Sequence, residues 1–367
     1  MLPRIVAEQK AQAMDSTADL LRDTATRLFA QQITPEVSRA AERGVFPAAA
    51  WEAVEAAGLT RALVPEGAGG FGVPAAQAMV LARVAGEYAA PLPLAETMIA
   101  AWLLAAAGLP IPDGPLTVGP VAAEDSALHL TRPRNDPGTG WRLSGSAART
   151  PWGRDAAAAV LLVAHAGRAH VALLRPDAWD LTPGENLARE PRDHLRVTAA
   201  PEAVAPVALP AHALRAAGAA ARTQQIAGAL ARVLALTTQY AQDRTQFGRP
   251  IGKFQAVQQS LAVLAGQAAS ASAAADLAAE AMEGEPELLA IASAKARAGE
   301  AAGIACGLAH QLHGAIGFTY EHGLHFLTKR LWSWRDEFGA EAEWNRLLGR
   351  HMLAAGADRL WAALTAA

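Results

Sequence analysis

The segment Tyr240-Ala-Gln-Asp-Arg-Thr-Gln-Phe-Gly-Arg-Pro-Ile-Gly-Lys-Phe-Gln255 joins two long stretches whose apolar residues recur at helical spacing. Its first arginine, Arg244, presents a planar fork of N–H donors that matches the oxygens of a phosphate. Glycine and proline then favour a turn, and Gln255 opens the next helix, where unpaired backbone N–H groups favour an anion. The segment therefore predicts a site for a phosphate-bearing cofactor. The alternative is an ordinary helix C-terminus with an exposed arginine.

The composition is that of a folded chain with a large interior. Its 367 residues are 52% hydrophobic and 18% charged, which predicts two or three domains and excludes a disordered protein. A net charge of −3 gives no reason to expect a nucleic-acid partner. The single cysteine, Cys306, excludes an intramolecular disulfide framework and fits a reducing compartment. Because the first residues lack the apolar core of a signal peptide and the apolar stretches are too short to span a bilayer, we expect a cytoplasmic protein with no membrane segment.

The chain divides into three segments by its residue pattern. Residues 1–114 show helical spacing, residues 115–208 have short apolar runs separated by proline and glycine, and residues 209–367 have four long helical patterns. In the middle segment, residues 156–163 and 170–174 predict a β-hairpin. Alanine favours helix, and four long helices with short connections pack as a bundle. The prediction is a mainly α fold with an N-terminal helical domain, a small middle β domain and a C-terminal four-helix bundle.

A second glycine-bearing stretch, Gln311-Leu-His-Gly-Ala-Ile-Gly-Phe-Thr-Tyr-Glu-His322, follows later in the chain. Its glycines, Gly314 and Gly317, allow a backbone to approach a ligand closely. By itself the stretch is also consistent with a helix that ends in a capping glycine. This stretch, the Arg244 segment and the order of the three domains together resemble the acyl-CoA dehydrogenase family of flavoenzymes over nearly the whole chain.

The resemblance implies FAD as the cofactor. In the family, the arginine that matches Arg244 pairs with the FAD pyrophosphate of a neighbouring subunit, and the Gln-x-x-Gly-x-x-Gly turn lies along the FAD of the partner subunit. The residues that the resemblance assigns to the cofactor are Arg244, Phe247, Phe254, Gln255, Gln311, Gly314 and Gly317. Because such sites are completed across subunits, the resemblance also implies a homo- or hetero-oligomer, either a dimer or a tetramer.

Histidines near the second stretch raise the question of a metal site. His310 and His313 share a helix face. A His-Glu-x-x-His site would need one more residue between them and a glutamate after the first histidine. Since no carboxylate or cysteine stands beside the pair in the sequence, we predict no metal.

The position of the catalytic base departs from the family pattern. The family removes the α-proton of an acyl-CoA thioester with a carboxylate while a hydride passes to the flavin. Its glutamate usually stands directly before a glycine ahead of the last bundle helix, and here Phe338 holds that position. Glu337 and Asp336 stand one and two positions earlier, so the resemblance implies Glu337, or else Asp336, as the base. A second position used by some members falls near Gly218, which has no carboxylate.

An acidic pair that only balances the neighbouring lysine and arginines is the alternative interpretation of Asp336 and Glu337.

The middle domain also departs from the pattern. Members commonly carry a Thr-Glu-Pro run and a Trp-Ile-Thr run beside the flavin ring. Here Pro151 holds the threonine position of the second run, Trp152 has moved along the loop, and the first run has no counterpart. We therefore expect the outer face of the flavin to be handled differently or to be only partly formed.

Three functions fit these residues. The first is an FAD-dependent α,β-dehydrogenation of an acyl-CoA, with an electron-transfer flavoprotein as the acceptor. The second is a non-catalytic partner subunit that completes a neighbour's FAD site. The third is an oxidase or hydroxylase of the same fold. The stretch from His325 to Gly339 resembles a bacterial branch in which some members act on steroid-type acyl-CoA substrates as heterotetramers of two unlike subunits.

Overall fold

The N-terminal part of the chain is a set of short helices around a first long one. The computed structural model describes residues 2–122, 124, 126–132, 140–356, 358, 359, 361 and 362, with side chains described from residue 17 onwards. Thr34 caps the second helix by accepting a hydrogen bond from the Val37 backbone N–H at 3.3 Å, and Pro35 occupies its first turn. The helices are α1 (Leu2–Gln32), α2 (Pro35–Glu42), α3 (Ala48–Ala56), α4 (Ala75–Ala78), α5 (Val80–Glu87) and α6 (Leu94–Ala106).

The middle part consists of two four-stranded sheets that pack face to face around a common apolar layer. One sheet has the order β1-β4-β5-β8 and the other has the order β2-β3-β7-β6. The predicted hairpin is confirmed, since β4 and β5 are antiparallel with Ala164 opposite Ala169. The strands are β1 (Leu116–Gly119), β2 (Ala127–Thr131), β3 (Arg142–Pro151), β4 (Ala158–His165), β5 (Arg168–Leu174), β6 (Trp179–Thr182), β7 (Arg192–Ala199) and β8 (Ala203–Pro206).

The C-terminal part is a helical bundle that also packs onto the N-terminal helices. Gly86 on α5 and Gly228 on α7 let these two helices approach closely: a Cβ at Gly228 would lie 1.9 Å from the backbone oxygen of Arg83. One continuous apolar core therefore runs from the N-terminal helices through β1 and β4 into α7. The elements are α7 (Ala213–Asp243), β9 (Thr245–Gln246), β10 (Arg249–Pro250), α8 (Gln255–Glu280), α9 (Leu288–His313), α10 (Leu324–Asp336) and α11 (Glu341–Ala355).

Helix α8 is long and apolar enough to cross a membrane by length and composition, with a mean hydropathy of 1.3 over its most apolar window. One such helix is weak evidence for a membrane span, because a core helix of a bundle has the same profile. Leu264, Ala268 and Ala271 of α8 pack against α7 and α9 in the bundle core.

The predicted fold class is confirmed: helices, then strands, then a helical bundle in the expected order. The described strands of the middle part run from Leu116 to Pro206, and the first bundle helix begins at Ala213. The domain boundaries 1–114, 115–208 and 209–367 themselves stay predictions.

Candidate active site

A cavity of about 440 Å³ opens between the middle β domain and the loop that joins α10 to α11. Pro151, Asn186 and Arg192 line it from the β domain. Asp336 and Glu337 line it from the end of α10. The two carboxyl groups that the resemblance nominated as the base therefore do reach one cleft, and their surroundings there are very different.

Glu337 is the first residue beyond α10, and its extended backbone turns the side chain inward. Arg192 donates to both carboxylate oxygens, from Nε at 2.7 Å and from Nη2 at 3.0 Å. Arg222 donates from Nε at 2.7 Å, and Asn186 donates from Nδ2 at 3.1 Å. Burial acts to raise the pKa of Glu337, but the two guanidiniums and these hydrogen bonds lower it to about 2. The carboxylate is therefore charged, and both of its oxygens accept hydrogen bonds from neighbouring side chains.

The pairing of Glu337 continues into a buried chain of alternating charges. Arg222 also donates to Glu96 on α6 at 2.5 Å, and Arg192 donates to Glu190 at 3.0 Å. Glu190 in turn accepts from Arg330 on α10 at 2.9 Å. Three glutamates and three arginines thus neutralise one another and join all three parts of the chain. We call this the buried charge chain; its members are Glu96, Arg222, Glu337, Arg192, Glu190 and Arg330.

Phe338, at the position where the resemblance places the usual base, touches Gly218, near the second position that some members use. The Phe338 ring fills the space above Gly218, so that a Cβ at Gly218 would lie 2.1 Å from the ring carbon Cδ1. Phe338 is 3% exposed and has a φ of +55°, a conformation that is costly for a residue other than glycine. A carboxylate at either position would therefore displace an existing packed contact.

Lys295 on α9 holds this strained loop at both ends. Its buried Nζ donates to the backbone oxygen of Arg335 at 2.6 Å and to that of Gly339 at 3.0 Å. Burial lowers the pKa of Lys295 to about 8. The two bonds bracket Asp336, Glu337 and Phe338, so the direction of each of these side chains is set by one lysine from another helix.

Asp336 has a looser environment than Glu337. It is the last residue of α10 and is exposed at the cavity wall. Partial burial raises its pKa, while the neighbouring Arg335 acts in the opposite direction. This carboxyl group is thus closer in character to a proton acceptor than Glu337 is.

Trp152 lies apart from the main cavity. It is 5% exposed, and its ring meets Phe46 edge-on at a centroid distance of 6.3 Å. It lines a separate small pocket with Phe46 and Arg330. Pro151 does line the main cavity, and its carbonyl oxygen accepts a hydrogen bond from Thr117. The indole of Trp152 therefore packs between the domains and does not line the cavity.

The Arg244 segment forms an exposed hairpin at the end of α7. Arg244 is the residue that ends α7, and its backbone oxygen accepts from Ile251 N–H at 2.8 Å. Phe247 is 90% exposed at the tip of the hairpin, with a φ of +50°. Its ring stands edge-on to Phe254 at 6.1 Å, and Gln255 is exposed at the start of α8.

The second glycine-bearing stretch lies beside this hairpin. Helix α9 ends at His313, and the residues Gly314–Phe318 form a tight turn. Tyr240, one turn before Arg244, stacks on the His313 ring at 4.5 Å and donates its hydroxyl to the His313 backbone oxygen at 3.3 Å. The structure therefore brings the two sequence segments together at the adjacent ends of α7 and α9.

The two segments present exposed groups at the adjacent ends of α7 and α9. Gln311 is exposed, and a Cβ at Gly314 would meet no heavy atom within 4 Å. Exposed aromatic rings such as Phe247 and Phe318, 90% and 66% accessible, are suited to cover a ring system. The groups are open to the outside of the chain, as a cofactor carried by a neighbouring subunit would require. The cofactor roles of the individual residues stay predictions.

No metal site is formed by the part of the chain that the structure describes, since it holds no group of three or more His, Cys, Asp or Glu placed to bind one ion. His310 and His313 instead belong to stacked clusters of aromatic rings.

Comparison with known proteins identifies the family. The acyl-CoA dehydrogenase N-terminal domain profile matches residues 15–110, and the C-terminal domain profile matches residues 214–336. Acyl-CoA dehydrogenase IpdE2 of Mycobacterium tuberculosis (strain ATCC 25618 / H37Rv) is 30% identical over 319 residues, which are 85% of this chain and 89% of that protein. The chain belongs to the acyl-CoA dehydrogenase family. It is thus a member of a family of oxidoreductases whose cofactor is FAD.

Two solved structures share this fold over nearly the whole chain. The Tcur3481-Tcur3483 steroid ACAD G363A variant superposes with a TM-score of 0.83 at 26% identity, covering 94% of this chain and 99% of that chain. The ChsE4-ChsE5 complex from Mycobacterium tuberculosis superposes with a TM-score of 0.77 at 24% identity, covering 92% of this chain and 97% of that chain.

Sequence reasoning missed the partners of Glu337 in this member of the acyl-CoA dehydrogenase family. Asn186 and Arg192 lie 151 and 145 positions before it, so no local pattern connects them. Arg222 gave one available signal: it stands in an alanine-rich helical stretch, on a face where every neighbouring position is buried. A lone arginine on the buried face of a helix requires a buried carboxylate partner.

Proposed function

We propose that this chain is a partner subunit of a heteromeric acyl-CoA dehydrogenase and does not itself abstract the α-proton of the substrate. The observation that carries the proposal is the state of Glu337, which is held by Arg192 and Arg222 with its pKa lowered to about 2. A general base works best when its pKa lies near the operating pH. A carboxylate with a pKa near 2 is a weak proton acceptor. Freeing it would leave three buried arginines of the charge chain with only two glutamates, Glu96 and Glu190, to balance them.

The contact between Phe338 and Gly218 supports the same proposal. Both positions that could carry a base in the family lack a carboxyl group, and their side-chain space is shared by one phenyl ring. The buried charge chain and this packed ring together make the centre of the chain a rigid junction between its three parts. Such a junction suits a subunit that supports a neighbour's active site.

The contribution of this subunit would be made at the exposed ends of α7 and α9. Arg244 would pair with the pyrophosphate of FAD, and Gln311 and the Gly314–Phe318 turn would lie along the dinucleotide. Phe247 and Phe254 would cover the cofactor, and Gln255 would seat its adenosine end. FAD, when bound, accepts the hydride from the acyl-CoA. The remaining elements of the site would come from the unlike subunit.

The likeness to two steroid-type or two-component structures supports a steroid-type acyl-CoA as the substrate class of the assembly. We propose an electron-transfer flavoprotein as the electron acceptor and a dimer or tetramer as the assembly. The single buried thiol, Cys306, supports a cytoplasmic location, because a reducing compartment keeps it as a thiol.

A second candidate is that the chain is itself catalytic, with Asp336 as the base. One observation favours it: Asp336 lines the 440 Å³ cavity, and partial burial raises its pKa. In that case the exposed carboxylate would have to swing toward a thioester bound in the cavity.

Purification of the chain alone and together with candidate unlike subunits tests these alternatives. We expect the lone chain to be colourless, and the co-purified assembly to carry flavin that is bleached by acyl-CoA with a dye acceptor. In that assembly Asp336→Asn keeps full turnover. A lone chain that is yellow and is bleached by acyl-CoA, with turnover lost in Asp336→Asn, would establish the second candidate. A yellow chain whose flavin is not bleached by acyl-CoA thioesters but that consumes oxygen would indicate an oxidase or hydroxylase.

A further inference from the structure

We infer that His310 and His313 are positioning residues for the flavin dinucleotide: their ring stacks fix the Gly314–Phe318 turn and the Arg244 hairpin in one relation to each other. The inference rests on the proposed function, in which both segments contact a cofactor that the neighbouring subunit carries. It adds a role for two buried histidines that lie next to these segments and outside the cavity.

His313 joins the two segments directly. Its ring stacks on Tyr240 with centroids 4.5 Å apart and planes tilted by 21°, and its backbone oxygen accepts the Tyr240 hydroxyl at 3.3 Å. Tyr240 lies one helical turn before Arg244, and His313 lies directly before Gly314. Any movement of the turn relative to the arginine would therefore have to break this stack.

His310 supports the turn from beneath. Its ring lies between Phe318 at 4.1 Å and Trp332 at 5.6 Å, nearly parallel to both. Its Nε2 is 2.9 Å from the Thr328 hydroxyl on α10. Gly317 rests on the two histidines, because a Cβ there would lie 3.0 Å from His313 Cβ and 3.2 Å from His310 Nδ1. The two histidines therefore leave room only for a glycine at position 317.

The surroundings of the His310 and His313 rings favour the neutral imidazole. His313 Nδ1 donates to the Ala309 backbone oxygen at 2.8 Å, which leaves Nε2 as the unprotonated nitrogen. Within the described residues, His313 Nε2 and His310 Nδ1 are buried and have no hydrogen-bond partner. A proton added to either ring would place a charge among aromatic rings with nothing to accept its new N–H.

The other titratable groups around the pair do not offset such a charge. His322 from the loop and His325 from α10 face the two rings, and burial lowers the pKa of all four imidazoles. Among the described residues, the carboxylate beside this cluster is Glu42, which is paired with Lys329 at 2.9 Å and lies near His325. Tyr240 and Tyr320 also contact the cluster through their rings.

The direction of the pH effect follows from these shifts. Each histidine has a lower pKa when the turn is packed than in an unfolded chain, where it is about 6.5. Above that pH the rings are neutral in both states and the packing is unaffected. As the pH falls below it, protons bind preferentially to the opened turn, so the packed turn and its grip on the flavin are progressively lost.

The test is an FAD titration of the assembled protein, from which FAD has been removed, at neutral and at mildly acidic pH. The variants His310→Phe and His313→Phe keep a flat ring in each stack but cannot be protonated. We expect each to bind FAD at neutral pH slightly more weakly than the unaltered protein, because its hydrogen bond to Thr328 or to Ala309 is lost, and to show a smaller weakening at acidic pH. Tyr240→Leu, which removes the stack, should raise the FAD dissociation constant at neutral pH by roughly fivefold. His351→Gln, at an exposed histidine on α11, should change neither value.

Arg244→Ala separates failure of this inference from failure of the proposed function. One pattern of results would contradict the positioning role alone. In it, Arg244→Ala weakens FAD binding, Tyr240→Leu does not, and the phenylalanine variants keep the acid dependence of the parent. The cofactor site would then be supported and the role of the two histidines would be wrong. If Arg244→Ala also binds FAD normally, the cofactor site lies elsewhere and both proposals fall. Melting temperatures recorded at each pH show whether a lost affinity reflects the turn or unfolding of the whole chain.

Discussion

Two arginines on the same helix, α7, illustrate opposite uses of the same side chain. Arg222 is 2% exposed and has Glu96, Glu337 and Gln225 as hydrogen-bond partners. Arg244, at the end of the helix, is exposed beside an accessible hairpin. The first guanidinium joins the N-terminal helices to the bundle, and the second is available to a ligand. Family resemblance points to residues by position, but only their partners decide whether they can act.

The comparison is tested most strongly by Glu337→Gln. The substitution keeps the shape of the side chain but leaves Arg192 and Arg222 buried without their shared carboxylate. We expect the free energy of unfolding to fall by about 3–5 kcal/mol, measured by thermal or urea denaturation. Asp336→Asn, the adjacent exposed carboxyl group, serves as the control and should change stability little. A stable Glu337→Gln protein whose assembly has lost turnover would instead make Glu337 the base.

Acid titration of stability gives the next largest effect. The pKa of Glu337 in the folded chain is about 2, lower than the 4.5 of an unperturbed glutamate. Its contribution is therefore complete above pH 4.5 and is lost as the pH falls toward 2. We expect Glu337 to account for about 3 kcal/mol of the acid destabilisation. The unfolding free energy, measured by denaturation at each pH across this range, should change less with pH for Glu337→Gln than for the parent. If the unfolding free energies of the two proteins changed with pH in parallel, the carboxylate of Glu337 would not be ion-paired.

Gly218→Ala tests the packed side of the same junction. The new methyl group would lie 2.1 Å from Phe338, so the ring or the helix must move. We expect a loss of about 1–3 kcal/mol in unfolding free energy, as for other overpacked cores. Gly307→Ala is the matched control, because a Cβ at this exposed glycine of α9 meets no heavy atom within 4 Å. It should stabilise the chain by about 0.5–1 kcal/mol. Equal effects at the two glycines would show that Phe338 does not occupy this space.

Arg244→Ala should have the smallest effect on stability and a large one on the ligand. Because the side chain is exposed, we expect the melting temperature to stay unchanged. The FAD dissociation constant of the assembly should rise by roughly 10- to 100-fold, as expected for a lost charge-assisted contact with a phosphate. Arg232→Ala, at an exposed arginine on the same helix, is the control and should leave both values unchanged. A destabilised Arg244→Ala protein with normal FAD affinity would reverse the contrast between the two arginines.

Much of the fold could be predicted because its signals are local. The stripe of apolar residues from Ile226 to Tyr240 predicts α7, and the paired apolar runs at 156–163 and 170–174 predict a hairpin. Strands β1, β3, β6 and β8 were not predicted. Three of them have only four residues, and each is set by its neighbours in the sheet. The partners of Glu337 could not be predicted either, because they come from distant parts of the chain.

The sequence by itself determined the family and the order of the three parts, and it nominated two segments for a flavin. Glycine spacing, helix periodicity and an arginine before a turn are properties of short stretches, so they can be recognised without coordinates. Only the tertiary structure decided that Glu337 lies between two arginines, that Phe338 covers Gly218 and that Tyr240 reaches His313. Charge pairing and close packing depend on atoms a few ångströms apart, and the chain brings those atoms together only when it folds.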